Sequence, residues 1–236
     1  MKTNLKAGNL FLVVGPSGAG KDTLAQAVIN TLPDMQQAIS ITTRPIRENE
    51  TDGVHYYFLT KEEFAQARDN DELLEEAFVF GNYYGLYNNE IQDRLDAGND
   101  VMHVIDWQGA RDIKQKMDCE IIYIVPNDLK TLKDRLYGRA DANNEDAKVV
   151  KDRMFQAFSE MAHWTEADYL VNNNDLETAT RDVMTIVLAR KFIVLARKLE
   201  RERVFDSFPK ATRDMLDEAY YGDKGSHGRQ LKELGL

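Results

Sequence analysis

The sequence predicts an α/β fold, a parallel sheet flanked by helices, and three apolar runs carry that prediction. Leu10-Phe11-Leu12-Val13-Val14 ends at a glycine and gives way, from Thr23, to a helical pattern with Leu24, Ala27 and Val28 on one face. Val101 to Ile105 and Ile121 to Val125 are two further runs of strand length, followed by helical patterns from Ala110 and from Asp128. Strands alternating with helices place successive strands parallel in one sheet.

Two aromatic-rich, strand-like pieces, Gly53 to Thr60 and Ala77 to Tyr84, lie between the first and second runs. They suit a small lobe inserted in the sheet domain at about residues 40–90. After Asn172-Asn173-Asn174 an amphipathic helix is expected from Leu176 to about Phe205. It contains a near-repeat, Ile186 to Phe192 and Ile193 to Leu199, seven residues each. Such a repeat keeps one apolar seam turned to a partner. Two heptads favour packing on the chain's own body over self-association as a homodimer through this helix. Residues 1–175 thus read as one domain and 176–236 as a C-terminal helical extension.

With 236 residues, 43% of them hydrophobic, the chain can bury a full core for one domain with an added lobe. Cys119 is the single cysteine, which excludes an intramolecular disulfide and a multi-cysteine zinc site. The four histidines show no metal-ligand spacing. Residues 1–8 are too short and polar for a signal peptide, and no apolar run reaches membrane-spanning length, so the expected setting is cytoplasmic, with no membrane partner. A net charge of −10 argues against broad nucleic-acid affinity, and any bound nucleotide needs a local positive site.

Gly15-Pro16-Ser17-Gly18-Ala19-Gly20-Lys21 supplies such a site. It follows an apolar strand and opens a helix, the context a phosphate loop requires. Its glycines let successive N–H groups turn inward, and the helix N-terminus adds positive potential at the same point. Lys21 is placed to reach the β- and γ-phosphate oxygens of ATP. The usual motif puts Ser or Thr directly after the lysine as a Mg²⁺ ligand; here Asp22 stands there, with Thr23 next. Asp22 is the candidate metal ligand, direct or through water, and Mg²⁺ the expected cofactor.

Downstream come Ser40-Ile-Thr42-Thr43-Arg44-Pro-Ile-Arg47-Glu48-Asn-Glu50, then Gly53-Val-His-Tyr56-Tyr-Phe58, Glu75, Gly81-Asn-Tyr83-Tyr84-Gly85, Asp106-Trp-Gln-Gly109 and Val171-Asn172. With the phosphate loop, these blocks in this order resemble the guanylate kinase family from about Leu10 to Asp175. The resemblance implies a P-loop NTPase-type fold with an inserted acceptor lobe and a lid at about 135–155. It also implies transfer of the γ-phosphate of ATP to GMP or dGMP.

In that family two arginines and two tyrosines grip the acceptor phosphate, and these fall on Arg44, Arg47, Tyr56 and Tyr84, with Glu50 beside them. Guanidinium forks and phenol hydroxyls suit phosphate oxygens. The guanine pocket falls on Ser40 and Glu75; a carboxylate there accepts from guanine N1–H and the 2-amino group. The resemblance places Leu86 and Val104 where polar residues are expected, which weakens base discrimination. Asp106 is a second carboxylate for the base or for metal-bound water, and otherwise a helix cap. Arg135, Arg139 and Arg153 resemble the family's catalytic arginines, whose charge stabilises the transferring phosphoryl group. Asn172 resembles the position contacting the adenine side of ATP.

Two rival readings stand beside this one. Ribose 1,5-bisphosphate phosphokinases share the Asp after the loop lysine, and Glu90-Ile91, Leu95, Ala97-Gly98 and Asp100-Val101 are similar to that group, although the acceptor arginines and tyrosines favour a nucleotide. Non-catalytic interaction modules of guanylate-kinase shape typically lose the phosphate loop, which is intact here.

Overall fold

β1 (Leu10–Val14) lies in the middle of a five-stranded sheet with all five residues buried. Alternation sends Leu10, Leu12 and Val14 into one apolar cluster and Phe11 and Val13 into another on the opposite face. Both faces of the sheet are therefore covered, which is why the run is continuously apolar. The computed structural model describes residues 8–79, 81–126 and 159–207, with positions 137, 155, 157 and 210. In chain order the elements are β1, α1 (Lys21–Thr31), β2 (Met35–Gln37), β3 (Ile41–Thr42), β4 (Tyr57–Phe58), α2 (Lys61–Asp69), β5 (Leu73–Val79) and β6 (Asn82–Tyr87). They continue with α3 (Asn88–Asp96), β7 (Asp100–Val104), α4 (Trp107–Lys116), β8 (Glu120–Pro126), β9 (Tyr169–Asn173) and α5 (Leu176–Ser207).

The main sheet has the order β2-β7-β1-β8-β9, every neighbouring pair parallel. The glycine-rich loop 15–21 leaves the C-terminal end of β1, and Asp106 follows the C-terminal end of adjacent β7. Open α/β sheets bind ligands at that edge. The strand order is a finding, since nothing in the sequence reveals it. β2 was not expected from the sequence; it is three residues long, mostly polar and at the sheet edge.

Helix starts differ from the expected ones for local reasons. α1 begins at Lys21, two residues before Thr23, because Gly20 adopts a left-handed φ of 86° and turns the chain directly into the helix. Its buried face is Leu24, Ala25 and Val28, with Ala27 only half-buried. α4 begins at Trp107, three residues before Ala110, because the Asp106 carboxylate accepts from the Gly109 N–H at 2.8 Å and caps the helix. The helix expected from Asp128 lies outside the described residues.

A second sheet, β4-β3-β6-β5, occupies the stretch read as an inserted lobe. The piece Gly53 to Thr60 contributes only two strand residues, since Gly53 turns at φ 74°. Ala77 to Tyr84 is not one strand but parts of two antiparallel ones, β5 and β6, joined at Gly81 with φ 81°. Phe64 of α2 stacks on Tyr83 at 5.2 Å and packs the helix against this sheet.

The chain divides into two compact units, Met1–Val187 and Leu188–Leu236. In the first, Ala179, Val183 and Val187 of α5 recur every four residues and are buried in the cluster of Phe11 and Val13. In the second, Leu188, Phe192, Ile193 and Leu195 are 42–70% exposed. No described helix is long and apolar enough to cross a membrane.

Candidate active site

One cleft of about 640 Å³ brings most of the expected site residues together. Gly15, Ser17, Lys21 and Asp22 line one side; Arg44, Arg47, Glu50, Tyr56 and Tyr84 line the other; Ser40, Glu75 and Asp106 also border it. Pro16, Gly18, Ala19 and Gly20 complete the loop without lining the cleft. Thr23 and Asn172 are exposed and do not line it. Arg135, Arg139 and Arg153 lie outside the described residues.

The loop's shape follows from its glycines. Gly15, Gly18 and Gly20 have φ of 142°, 85° and 86°, and a Cβ on Gly15 would fall 2.5 Å from the Ile124 carbonyl oxygen, so only glycine fits there. The Ala19 N–H donates to Pro16 O at 3.0 Å, and Lys21 Nζ donates to Gly15 O at 2.5 Å and Pro16 O at 3.2 Å. Sequence reasoning missed Asn173, whose buried amide donates from Nδ2 to Ala19 O at 2.8 Å and ties β9 to the loop. The signal was available: with a period of two, Asn173 shares the face of buried Val171, while Asn172 points the other way.

Beside the two arginines, Thr42 Oγ1 donates to Tyr83 O at 3.0 Å and accepts from the Arg44 N–H at 3.2 Å, fixing the backbone that presents Arg44. The Arg44 fork donates to both Glu50 oxygens, at 2.9 and 2.7 Å, and Glu50 also accepts from the Arg47 N–H at 2.9 Å. These bonds hold the Glu50 carboxyl below its usual range against the opposing cost of its burial. Glu50 is thus the carboxylate that orients the Arg44 guanidinium, and it fixes the Arg47 backbone while lying 4.0 Å from Arg47 Nη1. Arg44 also lies over the Tyr56 and Phe58 rings, at 5.5 and 5.6 Å. Tyr56 and Tyr84 meet edge to face at 6.1 Å, so two phenols and two guanidiniums converge on one wall.

At the inner end, Glu75 of β5 is 7% exposed. Burial, and next to it the Asp106 carboxylate, push its carboxyl up to about 8. Leu86, its cross-strand partner, is fully buried in the apolar core and does not line the cleft, whereas Val104 does. His103 also lines this end and was not anticipated. It is 2% exposed, burial pushes it down to about 4, and the neutral ring donates from Nδ1 to Ala38 O at 3.1 Å. Its Nε2 lies 3.5 Å from Ser40 Oγ. Glu90 accepts from the Ile39 N–H at 2.9 Å and so anchors the segment leading to Ser40. Cys119 is buried, its thiol pushed up to about 11, and it takes no part in the cleft.

The family model for guanylate kinase matches residues 7–190 of this sequence. The chain belongs to the guanylate kinase family. It is 44% identical over 199 residues to the guanylate kinase of Photorhabdus laumondii, covering 83% of this chain and 91% of that protein. It is 43% identical over 194 residues to that of Escherichia coli, covering 81% and 92%. The crystal structure of guanylate kinase from Anaplasma phagocytophilum superposes with a TM-score of 0.65 at 30% identity, over 78% of this chain and 87% of that one. The stretch common to the guanylate kinase family thus runs through both sheets and beyond the start of α5, and it includes the span that holds Arg135, Arg139 and Arg153.

Proposed function

We propose that this chain transfers the γ-phosphate of ATP to GMP or dGMP. The observation that carries the reading is the single cleft in which a phosphate loop faces a wall of two arginines and two tyrosines, with a buried carboxyl beyond. Such a cleft holds a donor and an acceptor phosphate face to face, which is what an in-line transfer without a protein nucleophile needs. Lys21 would neutralise donor phosphates. Arg44 and Arg47, held by Glu50, would fork onto the acceptor phosphate, with the Tyr56 and Tyr84 hydroxyls as uncharged donors. Glu75, giving up to solvent the proton it holds in the empty cleft, would accept from guanine N1–H and the 2-amino group, a donor pair adenine lacks. Arg135, Arg139 and Arg153 keep the lid role as part of this reading, and Asn172 the adenine-side role.

Mg²⁺ fits this site as a companion of ATP. No group of three ligating side chains exists among the described residues, but Asp22 and Asp106 border the cleft beside Lys21. Mg²⁺ keeps several waters and is commonly bound through one or two carboxylates plus substrate phosphates. When bound, it supplies charge neutralisation of the phosphate oxygens. A cytoplasmic setting belongs to the same reading. The exposed Leu188, Phe192, Ile193 and Leu195 are the observation in favour of a homodimer through α5.

The experiment is a pair of variants. Lys21→Ala abolishes transfer, while Arg44→Ala raises the KM for GMP at least tenfold and leaves that for ATP within about twofold. Wild-type-like turnover in Lys21→Ala would refute the assignment of the donor site.

A further inference from the structure

We propose that Glu160 is an internal competitor for the phosphate loop: its carboxylate holds a loop N–H that a nucleotide phosphate takes over on binding. The inference rests on the nucleotide reading above and concerns a residue to which that reading gives no role.

Ser17 belongs to the phosphate loop, and its N–H is one of the backbone donors such loops direct at anionic oxygen. Here that N–H donates to Glu160 Oε2 at 3.2 Å, across 143 residues of sequence. Glu160 is 9% exposed and borders the cleft with Ser17 and Lys21. Its backbone is fixed separately, because the buried Tyr123 hydroxyl donates to Glu160 O at 3.1 Å. The side chain can therefore leave the loop without moving the chain that carries it.

The charges facing this carboxyl are Lys21, which attracts it, Asp106, which repels it, and the His163 ring. Lys21 in turn is hydrogen-bonded to the loop carbonyls of Gly15 and Pro16. A triphosphate entering the loop brings several negative charges beside a mostly buried carboxylate, where screening by water is weak. The carboxylate must then give up Ser17 and swing away. Affinity for the nucleotide is lowered by the stability of the internal contact, as for any ligand that must displace a competing conformation. Return of Glu160 to Ser17 favours release of the spent nucleotide by the same amount. No bond is made or broken.

The test is calorimetric titration of MgATP into wild type, Glu160→Gln and Glu160→Ala, with thermal melts in the presence and absence of MgATP. Removing the charge tightens ATP binding by roughly fivefold or more, equivalent to about 1 kcal/mol. The variants gain more in melting temperature than wild type from the addition of MgATP. ATP binding equal to or weaker than wild type in a variant that melts cooperatively overturns the proposal. Wild type that fails to bind ATP overturns instead the nucleotide reading. Should neither variant fold, the wild type carries the test. Its Ser17 amide resonance follows the titration of a carboxyl without nucleotide and stops doing so at ATP saturation, and a Ser17 amide indifferent to pH without nucleotide overturns the proposal.

Discussion

Replacing Glu75 by glutamine removes a carboxyl that the fold holds where ionisation is costly, so Glu75→Gln should stabilise the protein while damaging base recognition. Burial and the Asp106 carboxylate, with smaller contributions from Asp112 and Glu76 and an opposing one from Lys116, push Glu75 from its ordinary 4.5 up to about 8. Between those values the folded chain keeps a proton that the unfolded chain has released, so stability falls as pH rises through this window. At pH 7 the solution stands about 2.5 pH units above the ordinary value; at about 1.4 kcal/mol for each, the upper bound is about 3.5 kcal/mol. Relaxation of the site reduces this, and about 1–3 kcal/mol, or roughly 3–10 °C in melting temperature for a chain of this size, is expected. His103 works in the opposite sense. Pushed down to about 4, it must be charged in the unfolded chain but not in the folded one between about 4 and 6.5, so it adds stability as pH rises there. The assay is thermal unfolding from pH 5 to pH 8.5 without nucleotide. Over this range the two groups nearly cancel in the wild type up to about pH 6.5, after which stability falls towards pH 8. Glu75→Gln instead rises to about pH 6.5 and then levels. Identical pH profiles for the two proteins, or a variant less stable than wild type at pH 8, would refute the reasoning.

Two further substitutions probe how the fold holds the cleft. Asn173→Ala deletes the bond to Ala19 O and leaves a loop carbonyl unpaired, so it should cost about 1–3 kcal/mol and raise the KM for ATP more than that for GMP; equal effects on both substrates in steady-state kinetics would count against the tie between β9 and the loop. Gly109→Ala puts a Cβ 2.6 Å from Ile105 Cδ1 and 3.0 Å from Glu75 Oε2, so it should raise the KM for GMP several-fold, about 1 kcal/mol, with that for ATP unchanged. An unaltered GMP KM would show that the inner end of the cleft tolerates displacement.

The conformation of the glycine-rich loop 15–21 was legible because its constraint is local: a strand, three glycines at fixed spacing, a lysine and a helix start are all written within a few residues. The alternation of strands and helices was equally local, and the continuous burial of β1 explains why its run carried no period of two. Strand order was not legible, since β7 and β8 flank β1 through contacts across about a hundred residues. Helix starts slipped by two or three residues because Gly20 enters α1 through a left-handed φ and Asp106 caps α4 through its bond to the Gly109 N–H, and both are settled by the folded backbone. Arg44, Arg47, Tyr56 and Tyr84 could be named as a set, but Glu50 as the carboxylate that orients the Arg44 guanidinium is a fact of folded geometry. His103 and Glu160 gave no signal at all. Each becomes notable only once tertiary packing buries it at the edge of the cleft.

The central claim, phosphoryl transfer from ATP to a guanine nucleotide, is tested most directly by following ADP formation from MgATP with GMP, dGMP, AMP, CMP, UMP and ribose 1,5-bisphosphate as acceptors. The account predicts kcat/KM for GMP or dGMP at least a hundredfold above the other acceptors, about 3 kcal/mol of discrimination for a donor pair matched to the Glu75 carboxylate. Preferential turnover of ribose 1,5-bisphosphate, or no ADP formation with any nucleotide, would contradict it.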